Sequence, residues 1–432
     1  MAPHLATLIG AQEKAKKTLE ARSPSDLAPI DAIALPEHGG DPSERAEATR
    51  HGETLLAAGR VAVLVVAGGQ GTRLGFAGPK GAFPLGPVTH RCLFELQAQK
   101  IAGLSRRSAR PIPWYILTSP ATDLATRELF ERKRYFNLRP EDVFIFPQGC
   151  VPAFDLQGRL LLERPDRIFE NPDGHGGALP ALHQSGALED MERRGVDTIF
   201  YYQVDNPLVA IGDPTFVGFH DQHRAEMSCK VVRRSDSRES IGVLARQRGR
   251  ASIVEYTEID EEQRTARNAD GELVFWAGNP AIHLFSTAFA RKVAGQADEW
   301  LPYHASLKKV PSLDAAGMPI EPSVPNAVKL ERFVFDALPC AERVCLLEAN
   351  ARDEFSPVKN AQGPRSPCSC RRDLVALYRR WLKAAGLVLP PESQWIEIDH
   401  SHIDGPEEAI AANLHDLAEA PETIRVARGT PT

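Results

Sequence analysis

Apolar residues are distributed along the chain in two ways. Residues 61–66 read Val-Ala-Val-Leu-Val-Val without interruption, a β-branched run that predicts a strand buried on both faces and hence central in a parallel sheet. Similar runs at 114–117, 143–146 and 198–204 predict three more strands, and the stretches between them carry helical spacing. That alternation gives a doubly wound α/β sheet. Upstream, Leu5, Leu8, Ile9 and Leu19 among Lys and Glu predict an amphipathic helix over 4–21. Asp41-Pro42 predicts a second helix, with Glu44 and Glu47 near its positive end and Gly59 as its stop.

Beyond residue 205 the pattern turns strand-rich, at 229–232, 241–245, 252–259 and 273–276, the last after an Asp270-Gly271 turn. These strands predict an antiparallel insertion over the main sheet. A Pro/Ser-rich linker is expected at 364–370 and a helix over 372–385. The chain therefore divides into an N-terminal helical unit (1–58), a main α/β domain (59–363) and a small C-terminal unit (364–432).

Composition narrows the function. With 432 residues, 43% of them hydrophobic, the chain can bury a large core. A formal net charge of -6 lacks the basic excess that nucleic-acid binding needs. No apolar run approaches the ~20 residues of a membrane span, and residues 1–30 mix Lys, Glu and Asp with short apolar stretches. A soluble cytoplasmic chain without a signal peptide is expected. The seven cysteines, 92, 150, 229, 340, 345, 368 and 370, are odd in number and scattered, which suits reduced thiols. Cys368-Ser-Cys370 lacks a second Cys/His pair at ligand spacing and is expected in a surface loop.

The stretch Ala67-Gly68-Gly69-Gln70-Gly71-Thr72-Arg73-Leu74-Gly75 follows the first strand directly, with Gly78-Pro79-Lys80-Gly81 after it. Glycines at the carboxyl end of a sheet strand let backbone N–H groups approach phosphates closely. The loop lacks the Gly-Lys-Ser/Thr ending of a P-loop and the G-x-G-x-x-G spacing of a dinucleotide site. Arg73 and Lys80 place two cations where departing phosphates would need neutralising. Asp205 closes the strand 198–204 and puts a carboxylate at the same sheet edge. Mg²⁺ takes one or two carboxylates plus phosphate oxygens and water, so Asp205 is the expected metal ligand.

Residues 67–80 resemble the signature of sugar-nucleotide pyrophosphorylases. Further landmarks resemble their UDP-N-acetylglucosamine pyrophosphorylase branch: Gln148-Gly149, Pro172-Asp173-Gly174-His175-Gly176-Gly177, Val204-Asp205-Asn206-Pro207-Leu208, Val254-Glu255-Tyr256, Gly278-Asn279, Leu330-Glu331-Arg332-Phe333-Val334-Phe335-Asp336 and Glu354-Phe355-Ser356-Pro357-Val358-Lys359-Asn360. They keep the family's order over about residues 60–360.

The resemblance implies a Rossmann-like nucleotidyltransferase fold of the glycosyltransferase-A-like type and a Mg²⁺-dependent uridylyltransferase joining UTP to N-acetylglucosamine 1-phosphate. Ala67, Gly68, Gly69, Gly71, Thr72, Gln148 and Gly174 would hold the nucleotide, the Gln148 amide offering uracil both donor and acceptor. Lys359 would contact the sugar phosphate. His175, Gly242, Glu255, Tyr256 and Asn279 would form the sugar pocket. With Arg73, Lys80 and Lys359 as the catalytic cations, the reaction reduces to positioning and charge neutralisation. His175 stands where the acetylhexosamine enzymes carry asparagine and points toward glucose 1-phosphate or a broad sugar range. Transfer of another nucleotide and a catalytically silent nucleotide-sugar sensor are the remaining alternatives; the intact set of Arg73, Lys80, Asp205 and Lys359 opposes the sensor.

Overall fold

The computed structural model describes residues 10, 26–256, 258–314, 316–414, 417 and 424–428; apart from Gly10, the helix expected over 4–21 lies outside them. Its centre is the strand Val61–Val66, flanked in parallel by Thr198–Gln203 on one side and by Trp114–Thr118, then Val143–Pro147, on the other. Side chains alternate between two cores, as the two-residue strand period requires. Val61, Val63, Val65, Trp114 and Ile116 enter one, with Phe200 and Tyr202. Ala62, Leu64, Tyr115 and Leu117 enter the other, with Ile199 and Tyr201. Helices cover both faces, which is why these strands read as unbroken apolar runs.

The helix Pro42–Ala57 begins where expected, with the Asp41 carboxylate accepting the Ser43 N–H, and the chain leaves it through Gly59 at φ 74°. Beyond residue 205 the strands do not lie over the main sheet. With the short N-terminal strand Leu27–Ala28 they extend it to eleven strands among the described residues, because Met227–Arg233 pairs with both His283–Ser286 and Ala277–Gly278. Two strand expectations change. Arg250–Val254 ends before Glu255, and 273–276 contributes a single bridge, Leu273 to Arg267, before pairing resumes at Ala277–Gly278. Leu273 and Phe275 are buried instead in a local cluster with Val243, Val254 and Ile259; their apolar character serves packing, not pairing.

A small sheet of Tyr303–Lys308, Ala327–Arg332 and Phe154–Asp155 stands beside the main one on its own core of Val151, Phe154, Val328 and Leu330. The expected linker at 364–370 is partly helix. Pro367–Ala384 starts behind a Ser366 capping box, so its first proline is a helix start and not a break. Cys368 and Cys370 therefore lie in a first helical turn rather than a loop, with Cys370 buried. Leu374, Leu377 and Tyr378 of this helix and Ile396 and Ile398 of the strand Gln394–Ile398 join the same core as Val63.

Candidate active site

Val61–Val66 and Thr198–Gln203 run in parallel and in register to their carboxyl ends, where Gln203 lies opposite Val66. Successive crossovers leave in opposite directions here, which opens a crevice at the sheet edge. The glycine loop leaves from one strand and Asp205 from the other. Backbone bonds fold the loop on itself: the Gly71 N–H donates to Gly78 O and the Lys80 N–H to Gly69 O, each at 2.9 Å. That second bond turns Lys80 back toward the crevice.

Lys80 Nζ and Lys359 Nζ lie 2.9 and 2.8 Å from the same oxygen, Asp205 Oδ2. Burial works to raise the Asp205 pKa, but Lys359 and Lys80 outweigh it and hold the carboxyl down at about 2. Arg73 is exposed on the adjacent wall and is in none of the ion pairs among the described residues. A cavity of about 490 Å³ is lined by Gly68, Gly69, Thr72, Arg73, Lys80 and Lys359, and also by Phe169, Asn171 and Lys329 from the flanking small sheet and its loops.

Gln148 stands behind Gly68. Its Nε2 donates to Asp173 Oδ1 at 2.9 Å and to Gly174 O at 3.0 Å. Both amide hydrogens are thereby used, so the donor half expected to read a base is committed to Asp173, a buried carboxyl whose pKa rises to about 6 through desolvation. What remains is the acceptor: Oε1 points at Gly68, 2.6 Å from where a Cβ there would stand. Gly174, at φ 86°, could carry no side chain without meeting Arg332 O at 2.5 Å.

The family model described as UTP–glucose-1-phosphate uridylyltransferase matches residues 13–378. The chain belongs to that family. It is similar to human UDP-N-acetylhexosamine pyrophosphorylase-like protein 1, 38% identical over 387 residues, 86% of this chain and 76% of the relative. The UDP-N-acetylglucosamine pyrophosphorylase of Saccharomyces cerevisiae is 37% identical over 374 residues, 84% and 78% of the two chains. Among solved structures, a putative UDP-N-acetylglucosamine pyrophosphorylase from Entamoeba histolytica aligns with TM-score 0.81 and 31% identity, covering 90% of this chain and 98% of the other. The inhibitor complex of the Trypanosoma brucei enzyme gives 0.82 and 25%, covering 94% and 86%.

The other positions singled out in this uridylyltransferase-family chain are not on the wall of that cavity. Ala67 is buried at the end of its strand and Gly71 closes the loop against Gly78. Desolvation first, then the nearby Lys359 and His304, push the pKa of the partly buried His175 down to about 3. Its Nδ1 accepts the Val334 N–H at 3.2 Å and its ring stacks on Phe333 at 5.3 Å, which leaves a neutral ring with Nε2–H as donor. Gly242 and Asn279 are tied by the Asn279 N–H donating to Gly242 O at 2.8 Å; a Cβ on Gly242 would stand 3.8 Å from Glu255 Oε1. Glu255 faces Glu258, His304 and Asp336, and its pKa is raised, by burial first. Tyr256 lies half-buried in the turn after it.

Two residues of interest carried no signal in the sequence reading. Lys329 lines the same cavity as Lys80 and Lys359, its ammonium 5.0 Å from the Phe169 ring centre, with its pKa lowered by burial and by Lys308. His304 also stacks on Phe333, ring centres 4.3 Å apart, and its Nε2 is 2.8 Å from Asp336 Oδ2. A half-buried lysine on a strand and a lone histidine look like ordinary surface residues until the fold brings them in. No helix among the described residues is long and apolar enough to cross a membrane.

Proposed function

We propose that the chain transfers a uridylyl group from UTP to N-acetylglucosamine 1-phosphate. The observation that carries this reading is the meeting of Lys80 and Lys359 on one Asp205 oxygen beside the glycine loop. A phosphate oxygen of the sugar phosphate attacks the α-phosphorus of UTP. The bond from that phosphorus to the bridging oxygen breaks and pyrophosphate leaves. The attacking group is already an anion at neutral pH, so no general base is needed. The cations bring two anionic substrates together and meet charge as it moves to the leaving group. Lys359 faces the sugar phosphate, while Arg73 and Lys80 face the departing phosphates. Gln148 Oε1 accepts the imide N–H of uracil, a group cytosine lacks.

Asp205 fits Mg²⁺ as a ligand. It is an ionised, hard oxygen donor, and both lysines use one of its two oxygens. Among the described residues no cluster of three or more His, Cys, Asp or Glu could hold a metal, so the substrate phosphates would complete the coordination. When bound, the ion supplies charge neutralisation at the phosphates.

N-acetylglucosamine 1-phosphate is favoured over glucose 1-phosphate because the similar relatives are named for the acetylated sugar. Action in the cytoplasm is supported by seven free cysteines. The test is pyrophosphate release from UTP, Mg²⁺ and the 1-phosphates of acetylglucosamine, acetylgalactosamine, glucose and galactose. The expected result is fastest turnover with acetylglucosamine 1-phosphate; no release with any of the four overturns the reading.

A further inference from the structure

Lys230 lies inside the strand Met227–Arg233, wholly buried between Cys229 and Val231. A buried ammonium is costly unless paired, and hydrophobic replacement of a buried ion pair is often neutral or stabilising. Stability alone is therefore a weak reason for a lysine here. Its Nζ meets two carboxylates: Asp213 Oδ2 at 2.7 Å and both oxygens of Glu354, at 2.6 and 2.5 Å.

Glu354 begins the segment that carries Lys359, and this segment is tied at several points to the turn that carries Asp205. The Glu354 carbonyl accepts the Asn206 side-chain N–H at 2.7 Å, and Asn206 Oδ1 accepts the Ser356 N–H at 3.1 Å. The Val358 N–H donates to Asp205 O at 2.9 Å. The Glu354 carboxylate also receives the Ala210 backbone N–H. Asp213 lies off this path, capping the helix Pro214–Gln222 with its Oδ1.

We propose that Lys230 is a positioning residue: through Glu354 it locks the 354–359 segment onto the Asp205 turn and so sets Lys359 over the site. This rests on the uridylyltransferase reading above. The three groups carry one positive and two negative charges, so removal of either carboxylate leaves Lys230 in a one-to-one pair. Glu354→Met and Asp213→Asn are therefore matched variants, and Asn preserves the helix cap. Only the first cuts the path to Lys359.

The experiment compares both variants, K230M and K359A in steady-state kinetics and in backbone hydrogen exchange of the full chain. Glu354→Met is expected to lower kcat roughly a hundredfold, the scale of a small misplacement of a reacting group, and to raise KM for the sugar phosphate more than KM for UTP. Exchange at Ser356 and Val358 should quicken in Glu354→Met and K230M and stay slow in Asp213→Asn, whose kcat should remain near wild type. Combined with K359A, Glu354→Met should add little further loss. Equal losses in the two matched variants, a multiplied loss with K359A, or unchanged exchange would overturn the proposal. Should the wild type turn over no sugar phosphate, the uridylyltransferase reading fails while the exchange comparison still decides the tether.

Discussion

Lys359 is held against Asp205 from two directions. Its ammonium lies 2.8 Å from Asp205 Oδ2, and the N–H of its neighbour Val358 donates to the Asp205 carbonyl at 2.9 Å. The lysine is nevertheless 38% exposed on its side chain, against 8% for the carboxylate. It can therefore turn from Asp205 to an incoming phosphate without exposing the acid.

Asp205→Asn keeps the shape and removes the charge. Both lysines then repel each other, but Lys359 can swing into solvent, so the fold should survive with a melting temperature within a few degrees of wild type. Turnover should fall by about 2–4 kcal/mol in the barrier, the cost of losing a preorganised charged group, and the dependence on added Mg²⁺ should flatten. Kinetics across a Mg²⁺ titration, with a thermal melt alongside, checks this; unchanged turnover removes the metal assignment.

Gly68→Ala tests the reading of the base. The added Cβ would stand 2.6 Å from Gln148 Oε1, and the amide cannot simply rotate because Nε2 is held by Asp173 and Gly174. The expected outcome is at least about a tenfold rise in KM for UTP, ~1.4 kcal/mol, with reduced discrimination against CTP. Initial rates with the two nucleotides read it directly.

The main strands, the Pro42–Ala57 helix and the glycine loop were legible in the sequence because each follows from a local rule: an apolar run, a capped proline start, a turn needing no Cβ. Lys80 and Asp205 were legible from the glycine loop and the strand end, but Lys359 only through the family resemblance, since it lies far from both in sequence. Leu273 and Phe275 misled because a buried loop and a strand share the same apolar spacing. The Pro and Ser residues before Cys368 misled because a helix cap and a linker share the same composition. The commitment of the Gln148 donor to Asp173, and the arrival of Lys329 from the flanking sheet, depend on tertiary packing alone.

Lys329 provides a third prediction. It reaches the cavity of Lys80 and Lys359 from the small flanking sheet, and burial beside Lys308 already destabilises its charge, so a polyanion there should be welcome. Lys329→Met keeps the side-chain length and the contact with Phe169. It should weaken pyrophosphate in the reverse reaction by about tenfold in KM, ~1.4 kcal/mol, and leave the melting temperature unchanged. An unaltered KM for both pyrophosphate and UTP would place the lysine outside the reaction.

Two further buried histidines should make stability depend on pH. His220 and His283 are buried, and desolvation pushes their pKa values down to about 4 and about 3 from the ordinary 6.5. His220 Nδ1 is 2.7 Å from Ser228 Oγ, and His283 Nδ1 is 3.2 Å from Cys229 Sγ. Below pH 6.5 the unfolded chain takes up protons that the folded chain refuses, so stability falls with falling pH until each folded pKa is reached. Asp205 adds no slope in this range, because its carboxyl is ionised in both states well above pH 4. At pH 5.5 each histidine should cost about 1.4 kcal/mol relative to neutral pH, one pKa unit of proton linkage. His175 adds a loss in the same sense and Asp173, raised to about 6, a gain in the opposite one, so the comparison is between proteins: in chemical denaturation His220→Gln, which keeps a hydrogen-bonding group toward Ser228, should shrink the fall in stability between pH 7.5 and 5.5 by about 1.4 kcal/mol. A variant with the same difference between the two pH values as wild type would mean that His220 titrates alike in the folded and unfolded chains, and would overturn this reading.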